Sequence, residues 1–80
     1  MLTLFIKPGC PYCANVLHAA EELGLEPDVK SIYDDGVAEE LIAAGGKLQM
    51  PYLIDHEHDV SMYESGDIID YLHRTFGMSP

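Results

Sequence analysis

Cys10-Pro11-Tyr12-Cys13 constrains this chain more than any other stretch. Two thiols three positions apart on the opening turn of a helix lie one turn from each other, close enough to close a disulfide. The apolar run Leu2 to Ile6 ahead of them reads as a strand covered on both faces, and Lys7-Pro8-Gly9 as the turn that ends it. Pro11 suits the first helical turn, where its missing N–H would lack a partner anyway. The first thiol then faces the positive end of the helix dipole, which favours thiolate over thiol. A strand, a tight turn and a C-x-x-C on a helix start describe a redox site.

The remaining residues supply a sheet to mount it on. Apolar positions Ala14, Val16, Leu17, Ala20 and Leu23 keep a helical rhythm from Pro11 to about Leu23, with Gly24 as the stop. Val29 to Tyr33 alternates as a second strand, and Asp34-Asp35-Gly36 is a turn able to cap a short helix over Val37 to Ala44. Met50 to Ile54 is a third strand, Asp55 to Asp59 a polar hairpin turn, and Val60 to Tyr63 a fourth strand. A last helix begins at Ser65-Gly66-Asp67, turns Ile68, Ile69, Leu72 and Phe76 inward, and stops at Gly77. Ser65 sits where an N-cap belongs, and Asp67 suits the first turn of the dipole. The order β-α-β-α-β-β-α predicts a four-stranded mixed α/β sheet with three helices on its two faces, in one domain over residues 1–80.

Charge narrows the partners. Fourteen acidic side chains against 4 basic ones give a net of -10, so no basic footprint for nucleic acid or an anionic membrane can form. The acids are spread along the chain as solvated faces rather than a tail. The N-terminal apolar run breaks at Lys7-Pro8, too short for a signal-peptide core, and no stretch approaches a membrane span. A cytoplasmic monomer is expected. With 2 cysteines, no second pair completes a four-ligand zinc site, and His18, His56, His58 and His73 lack ligand-like spacing to the thiols. His56-Glu57-His58 reads as solvated loop, and Met62, Tyr63, Tyr71 and Leu72 as core. No metal is expected.

Three separated pieces resemble known families. Lys7-Pro8-Gly9-Cys10-Pro11-Tyr12-Cys13 looks like the active-site strand-turn-helix of dithiol glutaredoxins. Gly45-Gly46-Lys47 followed by Met50-Pro51-Tyr52-Leu53 resembles the segment that carries their cis-proline. Tyr63 to Leu72 resembles the last strand-to-helix turn of the thioredoxin-like fold, but its Glu64-Ser65 is the pair of glutathione-transferase N-terminal domains. There the pair holds the γ-glutamyl end of glutathione.

From the residues, Cys10 is the candidate nucleophile, with Lys7 as a nearby cation lowering its pKa, and Cys13 the resolving thiol. Tyr12 stands beside them, either to pack on a substrate or simply to cover the turn. Other roles follow from the resemblance. Local sequence predicts a trans Pro51, since only about 5–6% of such bonds are cis; the resemblance implies a cis bond that sets the Met50 backbone beside Cys10. It also implies that Ser65 and the helix-start amides take the γ-glutamyl carboxylate, Glu64 or Asp67 the α-ammonium, and Lys7 and Lys47 the glycyl carboxylate.

The expected activity is that of a glutathione-dependent thiol-disulfide oxidoreductase acting on glutathione mixed disulfides and disulfide-bonded proteins, with glutathione as co-substrate. Three alternatives stand beside it. They are a glutathione-transferase-type N-terminal domain, a redoxin served by thioredoxin reductase, and a dimer binding a [2Fe-2S] cluster through Cys10 and glutathione. Pro11 disfavours the last, because cluster-binding relatives carry a smaller residue there.

Overall fold

The computed structural model describes residues 1–77, so the last three residues of the expected 1–80 domain lie outside the described residues. Seven elements follow in the expected order: β1 (Leu2–Ile6), α1 (Pro11–Glu22), β2 (Asp28–Ser31), α2 (Val37–Gly45), β3 (Tyr52–Asp55), β4 (Val60–Met62) and α3 (Ser65–Phe76). The strands form one sheet in the order β2-β1-β3-β4. β1 pairs parallel with β2 and antiparallel with β3, and β3 pairs antiparallel with β4. This is the four-stranded mixed sheet that the residue pattern predicts, in the thioredoxin-like arrangement that the resemblance implies.

Alternation along the central strands divides the core in two. Leu2 and Leu4 face one side, where α1 contributes Val16 and Ala20 and α3 contributes Ile68 and Leu72, with Leu53 from β3. Phe5 and Tyr52 point to the other face and pack on Val37 and Leu41 of α2. Helices therefore cover both faces, and β1 is buried along nearly its whole length.

The strand ends depart from expectation, and the pairing explains why. β2 stops at Ser31 because its partner stops at Ile6, where Lys7-Pro8-Gly9 turns away. Beyond it Ile32 makes one further bond to the Ile6 carbonyl, and Asp34 N–H closes a turn on the Ser31 carbonyl. β3 starts at Tyr52 rather than Met50, since Pro51 has no N–H for the ladder. It runs on through Asp55, which pairs with both Leu2 and Val60. β4 ends at Met62.

Helix ends follow the same logic. α1 finishes in a Schellman motif: Gly24 N–H donates to the Glu21 carbonyl at 3.0 Å and Leu25 N–H to the Ala20 carbonyl at 2.9 Å. The Asp34-Asp35-Gly36 turn leads into α2 as expected, and it supplies the cap from its glycine rather than from a side chain. The N-cap is Gly36 at φ 80°, and no side chain caps it, because capping needs an extended residue with a side-chain oxygen. The expectation for Ser65 needs correction. Glu64 is the extended N-cap residue, Ser65 is the first helical residue, and no side chain bonds the α3 start. Asp67 does stand in the first turn.

Candidate functional site

Cys10 caps α1 from the extended backbone region, held there by its own N–H bonding the Lys7 carbonyl at 3.0 Å. It is half-buried, while Cys13 one turn on is 2% exposed. Both thiols are free. The Cys10 thiol is pulled below its ordinary pKa chiefly by the Cys13 backbone N–H. Desolvation opposes this, and the Cys13 thiol, the Tyr12 N–H and the Lys7 charge add to it in that order. Lys7 thus helps, but the helix-start amides do more than the cation the sequence pointed to. Burial pushes the Cys13 thiol up, although the Lys7 N–H donates to its sulfur at 3.5 Å.

The two thiols are therefore driven apart in acidity, and alkylation should read the difference. Iodoacetamide is expected to modify Cys10 with a pH midpoint below the ~8.5 of a free cysteine. Cys13 should stay unlabelled in the native protein. Equal labelling of both, followed by mass spectrometry, would contradict the burial that separates them.

Two depressions flank the α1 start. One, of about 210 Å³, is lined by Lys7, Pro8, Gly9, Cys10 and Cys13 among others. The second, of about 330 Å³, is lined by Tyr12, Gln49, Met50, Pro51, Tyr63, Glu64 and Ser65. The Met50-Pro51 bond is cis. Tyr12, 63% exposed and two residues after Cys10, lines this second depression. Of the residues singled out from sequence, Lys7, Cys10 and Cys13 come together in the first, and Tyr12, Met50, Pro51, Glu64 and Ser65 in the second. Lys47 and Asp67 line neither; Lys47 Nζ sits 5.1 Å from the centre of the Tyr63 ring.

Electrostatics single out the same region. Lys30 pairs with Glu40 at 2.6 Å and Arg74 with Asp70 at 2.8 Å. Among the described residues, Lys7 and Lys47 have no carboxylate partner. On a chain of net charge -10, the two uncommitted lysines stand at the thiols and beside the second depression. The α3 start adds donors, because the first amides of a helix lack intrahelical acceptors and no side chain takes their place here.

Sequence reasoning missed three participants. Gln49 lines the second depression and its Nε2 reaches Glu64 Oε1 at 3.4 Å. Tyr63, read as core, sends its hydroxyl to the Lys47 backbone. Asp55, read as hairpin turn, is 1% exposed and anchors the far end of the sheet. Its Oδ1 accepts from the Glu57 and His58 amides at 3.1 and 3.3 Å, and its Oδ2 from the Tyr71 hydroxyl and His58 Nδ1, the latter at 2.7 Å. His56 Nε2 lies 2.9 Å from Thr3 Oγ1. The histidine loop is exposed as expected, but it is tied down rather than merely solvated. An aspartate opening a polar turn, able to take the amides two and three residues on, was the local signal.

The family described as glutathione S-transferase, N-terminal domain, matches over residues 4–80. The chain belongs to that family. Among solved structures, this transferase-family chain is similar to a delta-class glutathione transferase from Nilaparvata lugens at 28% identity and TM-score 0.81, covering 99% of this chain and 38% of that one. It resembles a glutathione S-transferase from the Antarctic clam Laternula elliptica at 27% identity and TM-score 0.83, over 99% and 36% of the two chains. It also resembles Ure2p, solved in complex with glutathione, at 30% identity and TM-score 0.73, over 94% and 33%. The chain thus spans little more than a third of these relatives. No curated protein matches it. No helix among the described residues is long and apolar enough to cross a membrane.

Proposed function

We propose that this transferase-family domain is a glutathione-dependent thiol-disulfide oxidoreductase of glutaredoxin type, acting as one unit over residues 1–80. The observation that carries the reading is the opposed pair of thiols: Cys10 half-buried at a helix start whose amides lower its pKa, Cys13 buried one turn on with its pKa raised by that burial. A conjugating transferase needs no second thiol; a disulfide reductase uses both.

The chemistry balances with glutathione as co-substrate. The Cys10 thiolate attacks the glutathionyl sulfur of a mixed disulfide; the S–S bond breaks, and the partner protein leaves as a thiolate that takes up a proton. Cys10 now carries the glutathionyl group. Attack by a second glutathione thiolate releases glutathione disulfide and returns Cys10 as thiolate. With a protein disulfide, Cys10 forms the mixed disulfide and Cys13, losing its proton, displaces the substrate sulfur and closes Cys10–Cys13. Two glutathione molecules then reduce that bond.

The residues present fit such a co-substrate. Lys7 and Lys47 can face a carboxylate, the uncapped amides of α3 and the Ser65 hydroxyl another, and Glu64 or Asp67 an ammonium group. Backbone groups of Met50 can pair with the extended peptide. Ure2p in complex with glutathione supports the ligand class. The domain would work as a monomer in a reducing compartment such as the cytoplasm, where its thiols stay free.

A glutathione-coupled assay tests this with two substrates, a small glutathione mixed disulfide and a disulfide-bonded protein. Wild type should turn over both. Cys13→Ser should keep the first and lose the second by about a hundredfold or more, since no resolving thiol remains. Reduction only with thioredoxin reductase, or equal loss on both substrates, would defeat the reading.

One observation favours a second reading. The family match, together with Glu64-Ser65, fits the glutathione-binding domain of a transferase in which Cys10 handles glutathione conjugates. Conjugation of an electrophile without mixed-disulfide turnover would select it.

A further inference from the structure

Tyr63 does something that a core tyrosine need not do. Its hydroxyl accepts from the Lys47 N–H at 3.0 Å and donates to the Lys47 carbonyl at 2.9 Å, taking both backbone groups of one residue in the α2–β3 loop. The ring behind it is fixed by Tyr52, with centroids 4.3 Å apart, and lies beneath the Lys47 ammonium at 5.1 Å. Gly45 leaves the path open. A Cβ there would stand 2.1 Å from the Tyr63 hydroxyl and 2.7 Å from Cζ, so no side chain fits without moving the ring.

The consequence is geometric. The α2–β3 loop supplies Gln49, Met50 and Pro51 to one wall of the 330 Å³ depression, and Glu64-Ser65 form the other. Tyr63 precedes Glu64 directly, so its hydroxyl clamps the first wall to the second. The Gln49–Glu64 contact at 3.4 Å is a weaker tie across the same gap. The clamp also fixes where Lys47 can reach, because its backbone is held at both ends of the residue and its ammonium rests on the clamping ring.

We infer that Tyr63 is a positioning residue for the glutathione-type co-substrate, holding Lys47 and the Gln49–Pro51 wall in register with the Glu64-Ser65 turn. The inference rests on the proposed function and adds a determinant of co-substrate affinity to it. Tyr63 does not touch the reacting sulfurs. Its loss acts through the loop and leaves the Cys10 chemistry alone.

Tyr63→Phe removes the hydroxyl and keeps the ring stack. Glutathione KM is expected to rise about tenfold, because both hydrogen bonds that pre-order the loop are lost. At saturating glutathione, kcat and the pH midpoint of Cys10 alkylation should be unchanged. The double variant with Lys47→Met supplies the second readout. If the clamp acts by placing Lys47, Tyr63→Phe should cost much less in the Lys47→Met background than in wild type. Unchanged KM, a shifted Cys10 midpoint, or fully additive effects would each overturn the inference while wild-type turnover stands. Failure of wild type itself to bind glutathione by calorimetry would instead overturn the proposed function, and the inference with it.

Discussion

Replacing Cys10 by serine is expected to abolish mixed-disulfide turnover, a loss of at least about a thousandfold with the fold intact. A serine hydroxyl keeps the size and the helix-start amides but ionises far above neutral pH, and alkoxide does not attack disulfide sulfur as thiolate does. Cys13 cannot stand in. It is 2% exposed and its thiol is pushed up by burial, so the fraction present as an accessible thiolate is small. Turnover is to be measured with glutathione, a small mixed disulfide and coupled glutathione reduction, with thermal unfolding as the control for structure. Activity in Cys10→Ser within tenfold of wild type would refute the assignment of the nucleophile.

Asp55→Ala is the substitution expected to cost most in stability, about 3 kcal/mol. The buried carboxylate accepts from two backbone amides, His58 Nδ1 and the Tyr71 hydroxyl. Alanine leaves those donors facing a void between the β3–β4 turn and α3. For a domain this small, such a loss lowers the melting temperature by more than about 10 °C. Burial alone would raise the Asp55 pKa and is the largest single influence, but the bonds from Tyr71 and His58 together outweigh it and hold the carboxyl below its usual range. The sign follows: a carboxylate depressed in the folded state stabilises the fold above its unfolded pKa of about 3.9, and that contribution disappears as pH falls through the lower folded value. Urea unfolding of wild type should therefore weaken below about pH 4 more steeply than that of Asp55→Asn, which keeps the shape without the charge. Parallel acid profiles for the two proteins would remove Asp55 from the account.

The thiols were legible because their chemistry is local. Strand, proline, glycine and helix rhythm lie within a dozen residues of Cys10, and each carries its own physical signature. The mixed parallel and antiparallel sheet was legible for a similar reason, since a β-α-β unit implies parallel pairing and a β-β hairpin antiparallel pairing, although the strand order was not. Strand ends were not, because β2 stops where β1 runs out and β3 starts where proline leaves the ladder, facts that belong to the pairing. Asp55 was half legible: its bonds from Glu57 and His58 are local, as an aspartate at a turn makes, but its partner Tyr71 lies 16 residues on. Ser65 misled for a subtler reason. A serine before a helical run reads as a cap, yet the helix begins on it and no side chain caps its first amides.

The fit between Gly45 and Tyr63 restricts the order in which this chain can change. A collision that close bars any side chain at residue 45 while Tyr63 keeps its place. A lineage that gave residue 45 a side chain would have to shorten residue 63 first, crossing an intermediate whose loop is untethered.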